Sequence, residues 1–227
     1  MSIAAYGWSD VEPDAIAERG QHLLAACPLW PIKFPATRHL ILQAALDTFA
    51  ARGYHGSTLK DISRGTGLST AALYVHFASK QDLLFEISRH GHEVALEVVE
   101  GAAEGGTDPA DALDLLVYSF TRWHAEQHTL AYVVQHEWTA LDSHHIAVVQ
   151  QLRGRIQTSF RAVLADGANS GELDVPDLRG ASAALLSMCI DVARWFDPEG
   201  PYTPDGLGRS YVALARRLFV STPVASR

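Results

Sequence analysis

Apolar residues recur at helical spacing along most of the chain, which favours an all-α fold. We find no run that alternates between apolar and polar side chains, as a half-buried strand would. Residues 36–52 predict one such helix, whose apolar side chains fall on one side: Ile41, Leu42, Ala45, Leu46 and Phe49.

Capping residues divide the following stretch into short helices. Gly53 supplies the left-handed residue that ends the first helix. Thr58 followed three residues later by Asp61 is typical of a capping box at the start of the next, which Gly65 and Gly67 are predicted to end. Two short helices separated by a glycine-containing turn indicate a helix-turn-helix, whose second helix enters the major groove of DNA.

Serine residues are predicted to begin the next two helices. Ser69 is a suitable N-cap for a helix over 70–77, and Ser79 for a long helix over 80–103. Helical phase assigns four side chains to the core of this small domain: Ile62, Leu68, Leu73 and Phe77.

The rest of the chain is also predicted to be helical. The longer patterns cover residues 108–127, 129–141, 144–167, 177–196 and 204–220. Before the helix-turn-helix, residues 10–26 predict an amphipathic helix, and Pro28, Pro31 and Pro35 indicate a linker. We therefore expect an N-terminal extension of unknown role over 1–34, a three-helix DNA-binding domain over 35–80, and a larger helical domain for ligand binding and dimerisation over 81–222.

Composition indicates a folded cytoplasmic protein. The chain has 227 residues, of which 48% are hydrophobic and 19% charged. No run approaches the ~20 apolar residues of a membrane span, and the N-terminus lacks the pattern of a secretory signal. Cys27 and Cys189 lie far apart and have apolar neighbours, as expected of reduced thiols in the cytoplasm.

Charge is distributed unevenly along the chain. The formal net charge is −8, yet residues 35–80 contain five basic and two acidic side chains. Residues 1–34 contain two basic and four acidic side chains, so the extension is not a basic arm of the kind that enters a minor groove. A basic segment joined to an acidic body suits a protein that presents one region to phosphate.

The helix-turn-helix segment is similar to the tetracycline-repressor (TetR) family of bacterial regulators. The resemblance covers roughly residues 38–85 and rests on these residues at the family's spacing: Tyr54, Thr58, Asp61, Ile62, Gly67, Ser69, Leu73, Tyr74, His76, Phe77, Lys80 and Leu83. Beyond this segment the chain resembles the family only in its length and helical character.

The resemblance implies a DNA-binding role for one group of residues: Thr58, Ser69, Thr70, Ala71, Ala72, Tyr74, His76 and Lys80. Family members often have Gly and then Thr or Ser where this chain has Ala71 and Ala72. The reading helix also lacks Arg, Lys, Asn and Gln, which excludes bidentate contacts with guanine or adenine. We expect methyl contacts with thymine, a large share of phosphate contacts, and modest discrimination at each base.

In TetR-like proteins the last two long helices pair with those of a partner, which implies a homodimer. The corresponding residues are Ala181, Ala184, Leu185, Met188, Val192, Tyr211, Leu214 and Leu218. The alternative is that these side chains form internal core.

Aromatic and polar residues occur together in the middle and late helices, as in the lining of a small-molecule site. The candidate residues are Trp123, His124, Tyr132, Gln135, His136, Trp138, Met188, Asp191 and Trp195. Each aromatic residue alone is more simply explained by core packing than by a ligand site. His124 and His128 share a helical face, but without a Cys/His cluster we predict no metal and no cofactor.

Residues 193–204 resemble the branch of the family that senses acyl-coenzyme A thioesters. The resemblance rests on a pattern of Trp, an aromatic residue, Pro and Gly-Pro. It implies a long amphipathic ligand, whose phosphate or carboxylate groups could meet Arg153, Arg155 or Arg194.

The leading interpretation is a regulator, most simply a repressor, that binds double-stranded operator DNA as a dimer and is released by an apolar or amphipathic effector. In this mechanism the ligand favours a conformation in which the long helix from Lys80 tilts. An enzyme is disfavoured because nucleophile-elbow, phosphate-loop, dinucleotide and zinc motifs are missing. A dimeric adaptor with a degenerate DNA-reading head is the alternative.

Overall fold

The computed structural model describes residues 13–30 and 34–219, and within them the regular structure is helical, without strands. The α-helices are α1 (Pro13–Ala25), α2 (Ala36–Arg52), α3 (Leu59–Thr66), α4 (Thr70–His76), α5 (Lys80–Gly105), α6 (Pro109–Glu126), α7 (His128–His136), α8 (Ser143–Ser170), α9 (Leu178–Trp195) and α10 (Pro204–Phe219). The predicted all-α class is confirmed. Predicted residues 10–12, Pro31 and residue 220 lie outside the described residues.

The end of α3 falls at the second of its two predicted glycines, whereas the predicted end of α7 was wrong. Helix α3 continues through Gly65 and ends at Gly67, which is left-handed. A Cβ on Gly65 would stand 3.3 Å from that of Ala44, so Gly65 serves the close approach of α2 and α3. The helix predicted over 129–141 ends at His136 and is followed by a 3₁₀ helix, Trp138–Ala140, a tightening common at helix ends.

The N-terminal caps that the sequence predicted are all present. The Thr58 hydroxyl accepts the Asp61 N–H (3.2 Å), and the Asp61 carboxylate accepts the Thr58 N–H (3.0 Å), which completes the capping box of α3. The hydroxyl of Ser69 accepts the N–H of Ala72 at the start of α4. Ser79 caps α5 in the same way. Local side chains therefore determine where these three helices begin.

Helix contacts divide the chain into two compact units. Within the described residues, the head unit consists of residues 28–30, 34–95 and 127–154, and the body unit consists of residues 13–27, 96–126 and 155–219. Helices α5 and α8 contribute residues to both units. This division differs from the expected boundaries near 34 and 80, because α7 packs against α2 and α1 packs against α6.

The core of the head unit is built from α2 and the two short helices. The predicted apolar face of α2 is buried throughout: Ile41, Leu42, Ala45, Leu46 and Phe49. Ile62, Leu73 and Phe77 are also buried. Leu68 was expected in this core but is only half-buried, because it lies in the turn between α3 and α4.

Helix α6 is the central element of the body unit. Fifteen of its 18 residues are buried, and α1, α9 and α10 all pack against it. The N-terminal extension is therefore a packed helix where the structure describes it. A Cβ on Gly20 of α1 would lie 2.4 Å from the ring of Tyr118, so this close approach requires glycine.

Two buried carboxylates on α6 are paired with arginines from the chain's two ends. Asp111 accepts two hydrogen bonds from Arg19 of α1 (2.5 and 2.9 Å), and Asp114 accepts hydrogen bonds from Arg216 of α10. Burial raises the pKa of Asp111, but hydrogen bonds from Arg19 and Thr107 outweigh burial and leave that pKa below its ordinary value.

Among the described helices, none combines the length and hydropathy that a membrane span requires.

Candidate functional site

Helix α4 has one buried side and one exposed side. Leu73 is buried, whereas Tyr74 and Val75 are 55% and 81% exposed. Ala71, one turn earlier, is exposed as well. The helix is thus fixed by its inner side and offers aromatic and aliphatic groups outward, as a helix entering a major groove must.

The predicted DNA-binding residues all lie in the head unit. Four are exposed, namely Thr58, Ser69, Ala71 and Tyr74, and four are half-buried, namely Thr70, Ala72, His76 and Lys80. The sequence interpretation missed Val75, the most exposed apolar side chain of α4. Helical phase would have found it, because Val75 lies four residues after Ala71 on the same side of the helix.

Asp61 modifies the role predicted for Thr58. The Thr58 hydroxyl donates to Asp61 Oδ2 at 2.6 Å, so its proton is already engaged. This hydrogen bond is the main cause that lowers the pKa of Asp61, and Arg52 and Arg64 lower it further from 3.3 and 3.0 Å. A phosphate at this helix start would therefore have to bind the remaining first-turn amides and the two arginines.

Lys80 is anchored inside the head unit. Its Nζ donates to the carbonyl oxygens of Tyr54 (2.6 Å) and Ser57 (2.8 Å), and lies 4.1 Å from the centre of the Tyr54 ring. Burial lowers the pKa of Lys80. Because an ammonium group has three N–H donors, at most one remains for phosphate, and Lys80 chiefly holds the loop between α2 and α3.

A surface cleft of about 360 Å³ lies between α2 and α3. Its lining combines opposite charges, with Asp47 and Asp61 beside Arg52 and Arg64. None of the nine residues predicted for the ligand pocket lines this cleft.

The nine residues predicted for the ligand pocket are divided between the two units. Trp123, His124, Met188, Asp191 and Trp195 belong to the body unit, and Tyr132, Gln135, His136 and Trp138 belong to the head unit. Trp123 and His124 are buried and in ring contact. Tyr132 and His136 stack on each other at the surface, and Asp191 and Trp195 are exposed. A single pocket made of all nine therefore stays a prediction.

Arg153 of α8 joins the polar members of the head-unit group. Its Nη1 donates to Gln135 Oε1 at 2.8 Å, and its Cζ lies 5.2 Å from the centre of the Trp138 ring. The same nitrogen lies 3.3 Å from His92 Nε2. Three side chains, from α5, α7 and the 3₁₀ helix, therefore surround one cationic group on α8.

The residues predicted for a dimer interface fall into two classes. Leu185 and Val192 are buried, and half-buried Tyr211 packs against the core cluster that contains Val192, so these three side chains pack inside the single chain. Both helices pack on α6 through these sides. The other five residues are exposed or half-buried, and they are Ala181, Ala184, Met188, Leu214 and Leu218.

Metal-binding groups are not gathered in the part of the chain that the structure describes. Within these residues, no three His, Cys, Asp or Glu side chains come together as metal ligands would. His124 is buried and its Nδ1 is 2.8 Å from the carbonyl oxygen of Phe120, so its ring is held by its own helix.

Family models match both parts of the sequence. A model described as "Bacterial regulatory proteins, tetR family" matches residues 41–87, and one described as "Tetracyclin repressor-like, C-terminal domain" matches residues 106–219. The first match contains the helix-turn-helix, and the second includes all of α6 to α10.

Individual proteins agree with these matches. The transcriptional repressor KstR2 of Mycobacterium tuberculosis is 26% identical over 179 residues, which cover 77% of this chain and 88% of the relative. A solved structure of a tetR-family regulatory protein from Rhodococcus RHA1 is 30% identical, with a TM-score of 0.78, and the match covers 83% of this chain and 100% of that one. AibR, solved with isovaleryl coenzyme A and operator DNA, shares the fold at 20% identity with a TM-score of 0.72. That match covers 78% of this chain and 97% of AibR.

Proposed function

Because the chain belongs to the tetR family of bacterial regulatory proteins, which regulate transcription and are not enzymes, we propose that it is a ligand-released repressor. In this proposal it binds operator DNA as a homodimer and leaves the DNA when an acyl-coenzyme A thioester binds. The observation that carries the DNA-binding part is the exposed face of α4, fixed at its start by the Ser69 cap and underneath by buried Leu73.

The composition of α4 supports a particular way of reading DNA. Ala71 and Val75 supply methyl groups for contact with thymine, and Tyr74 supplies a hydroxyl for a phosphate. Arg52 at the end of α2 and Arg64 in the last turn of α3 are both more than half exposed, and they add positive charge to the head unit. Affinity in this scheme comes largely from phosphate, and it depends strongly on salt.

Exposed apolar side chains on α9 and α10 support a dimer. Leu214 and Leu218 are 43% and 60% exposed, and Ala184 and Met188 lie on the outward side of α9. Apolar side chains on two neighbouring surface helices are typical of subunit interfaces. A dimer also places two reading helices ~34–36 Å apart, one turn of DNA, as two half-sites require.

The proposed effector class rests on the sequence pattern of residues 193–204 and on AibR, which is solved with isovaleryl coenzyme A. Helix α5 contributes residues to both units, so a displacement of α5 by the ligand would also move the residues of the head. The ligand needs only to bind the non-reading conformation more tightly to release DNA. As a DNA-binding regulator, the protein would act in the cytoplasm.

An electrophoretic mobility shift tests the proposal. The probe is DNA flanking the gene, titrated with protein at several salt concentrations, with and without acyl-coenzyme A thioesters of increasing chain length. We expect a sequence-specific shift that one thioester reverses. A specific shift that no thioester reverses would leave a DNA-binding regulator and exclude the proposed effector class.

A second candidate is a dimeric adaptor whose head no longer reads DNA. The observation in its favour is the sequence of α4, Thr70–His76, which contains no Arg, Lys, Asn or Gln. An adaptor of this kind would show no specific shift even at low salt, while remaining a dimer in solution.

A further inference from the structure

Arg153 is a half-buried cation to which the described residues offer no carboxylate. Its Nη1 donates to the amide oxygen of Gln135, and its Nε and Nη2 make no hydrogen bond within the described part of the chain. The other arginines that the sequence suggested for anion binding are both paired. Arg155 donates to Glu100 at 2.7 Å, and Arg194 forms two hydrogen bonds with Asp191.

His92, the second neighbour of Arg153, is neutral as well. Its Nδ1 lies 2.7 Å from the Ser88 carbonyl oxygen and must donate to it, which leaves Nε2 as an acceptor for Arg153 Nη1. Burial, and then the nearby charge of Arg153, lower the pKa of His92 to about 4. Both acceptors of the guanidinium are therefore uncharged at neutral pH.

Partial burial without a counter-ion is costly for a guanidinium. Buried charges in proteins are normally paired, because the lost hydration has to be replaced. The Trp138 ring at 5.2 Å replaces part of it. Burial lowers the pKa of Arg153, and no acidic side chain opposes that shift. The missing element of this cluster is a negative charge.

We propose that Arg153 binds the anionic group of the effector, a carboxylate or a phosphate. Gln135 and His92 hold Nη1, while Nε and Nη2 present the pair of parallel N–H donors that such groups accept. Trp138 flanks the site and offers a ring for the apolar part of the ligand. Anion binding itself is independent of the proposed function; only the identification of this anion as the effector's rests on it.

Two probes distinguish the sources of the anion. Inorganic pyrophosphate represents the phosphates of a coenzyme, and decanoate represents a free carboxylate. Each is titrated into the full chain at constant ionic strength, with thermal unfolding as the readout. The test variant is Arg153→Met, and the matched control is Arg155→Met, which removes an exposed arginine two residues along the same helix.

We expect at least one probe to stabilise the wild type and R155M, and R153M to bind it about tenfold more weakly or worse. Arg153→Lys keeps the positive charge but loses the pair of parallel N–H donors, so its affinity for the probe should lie between those of the wild type and R153M. If R153M does not fold, Arg153→Lys serves as the test variant instead. Equal binding to R153M and R155M, or no binding of either probe to the wild type, would overturn the proposal. A mobility shift on the same proteins separates the anion site from the proposed function. If the wild type binds an anion but no operator DNA, the proposed function fails and the anion site stands.

Discussion

Arg19 of α1 and Asp111 of α6 form a two-pronged ion pair inside the body unit. Arg19 Nη2 lies 2.5 Å from Oδ1, and Nη1 lies 2.9 Å from Oδ2. The carboxylate is fully buried, and Thr107 donates to it from both its backbone N–H and its hydroxyl. The N-terminal extension thus supplies the counter-charge for the central helix.

Replacing Arg19 with Met should lower the free energy of unfolding by about 3 kcal/mol, because it leaves a buried carboxylate unpaired. Urea denaturation followed by circular dichroism measures this change. Arg155→Met, which removes an exposed ion pair with Glu100, should cost less than about 1 kcal/mol. A similar small cost for R19M would mean that Asp111 does not depend on Arg19 for its counter-charge.

Tyr74 is predicted to bind a phosphate through its hydroxyl. Tyr74→Phe should weaken DNA binding about tenfold for every operator variant, because one hydrogen bond to a charged group is lost. Fluorescence anisotropy with a set of single-base operator variants gives the result. Val75→Ala is the matched control on the same exposed face, and it should weaken only operators with thymine at the contacted position. A base-dependent effect of Y74F would assign Tyr74 to base reading instead.

Lys80 should act mainly through the loop that it anchors. Lys80→Met should destabilise the protein by about 2 kcal/mol, since two hydrogen bonds and a contact with the Tyr54 ring are lost. Lys60→Met, at an exposed position of α3, should change stability by less than about 0.5 kcal/mol. If Lys80 served only as a phosphate contact, K80M would keep full stability and would reduce the salt dependence of DNA binding by about one unit of slope.

His92 should make stability depend on pH in the acidic range. The unfolded chain binds a proton near the ordinary pKa of about 6.5, whereas the folded protein resists it until about 4, so protons favour unfolding between these values. Above about pH 6.5 the protonation of His92 does not reduce the free energy of unfolding. Between pH 7 and pH 5 it should lower the free energy of unfolding by about 2 kcal/mol. Chemical denaturation of wild type and His92→Gln across this range isolates the effect, because the variant should show the smaller fall. Equal slopes would show that His92 is not held neutral.

Leu218 is predicted to lie in the dimer interface. Leu218→Glu should convert the protein to monomers with unchanged helix content, because a carboxylate would be buried against apolar side chains. Light scattering coupled to gel filtration measures the mass. Leu40→Glu is the matched control, since Leu40 is similarly exposed on α2 of the head unit and should leave the dimer intact. A dimeric L218E would move the interface elsewhere.

Local chemistry explains why the helices of the head could be predicted from the sequence. Thr58, Ser69 and Ser79 each cap a helix through the nearest backbone amides, so the information lies within three residues. The apolar face of α2 follows from its period in the same way. The family motif then adds the function of these helices, which the spacing of caps alone does not contain.

Contacts between distant residues explain most of what could not be predicted. Nothing near Arg19 in the sequence indicates Asp111, which is 92 positions away. The periodicity of α9 shows which residues are apolar, but Leu185 is buried and Met188 is only half-buried, and the packed neighbours decide between them. The family motif predicted that Lys80 contacts a phosphate. The carbonyl oxygens that it actually binds belong to a loop more than 20 residues earlier in the sequence.

The path of the chain through its two units limits how the protein can be dissected or rebuilt. The backbone passes between them four times, after residues 27, 95, 126 and 154. A single proteolytic cut cannot release the head unit alone, because the two segments that form it, 28–95 and 127–154, are each joined to the body unit at both ends. A chimaera that joins this head to another sensor at a single junction would divide α1 from α6 or α7 from α2. Exchange of specificity in this protein therefore has to proceed by grafting the surface residues of α4 onto an intact chain, rather than by swapping segments.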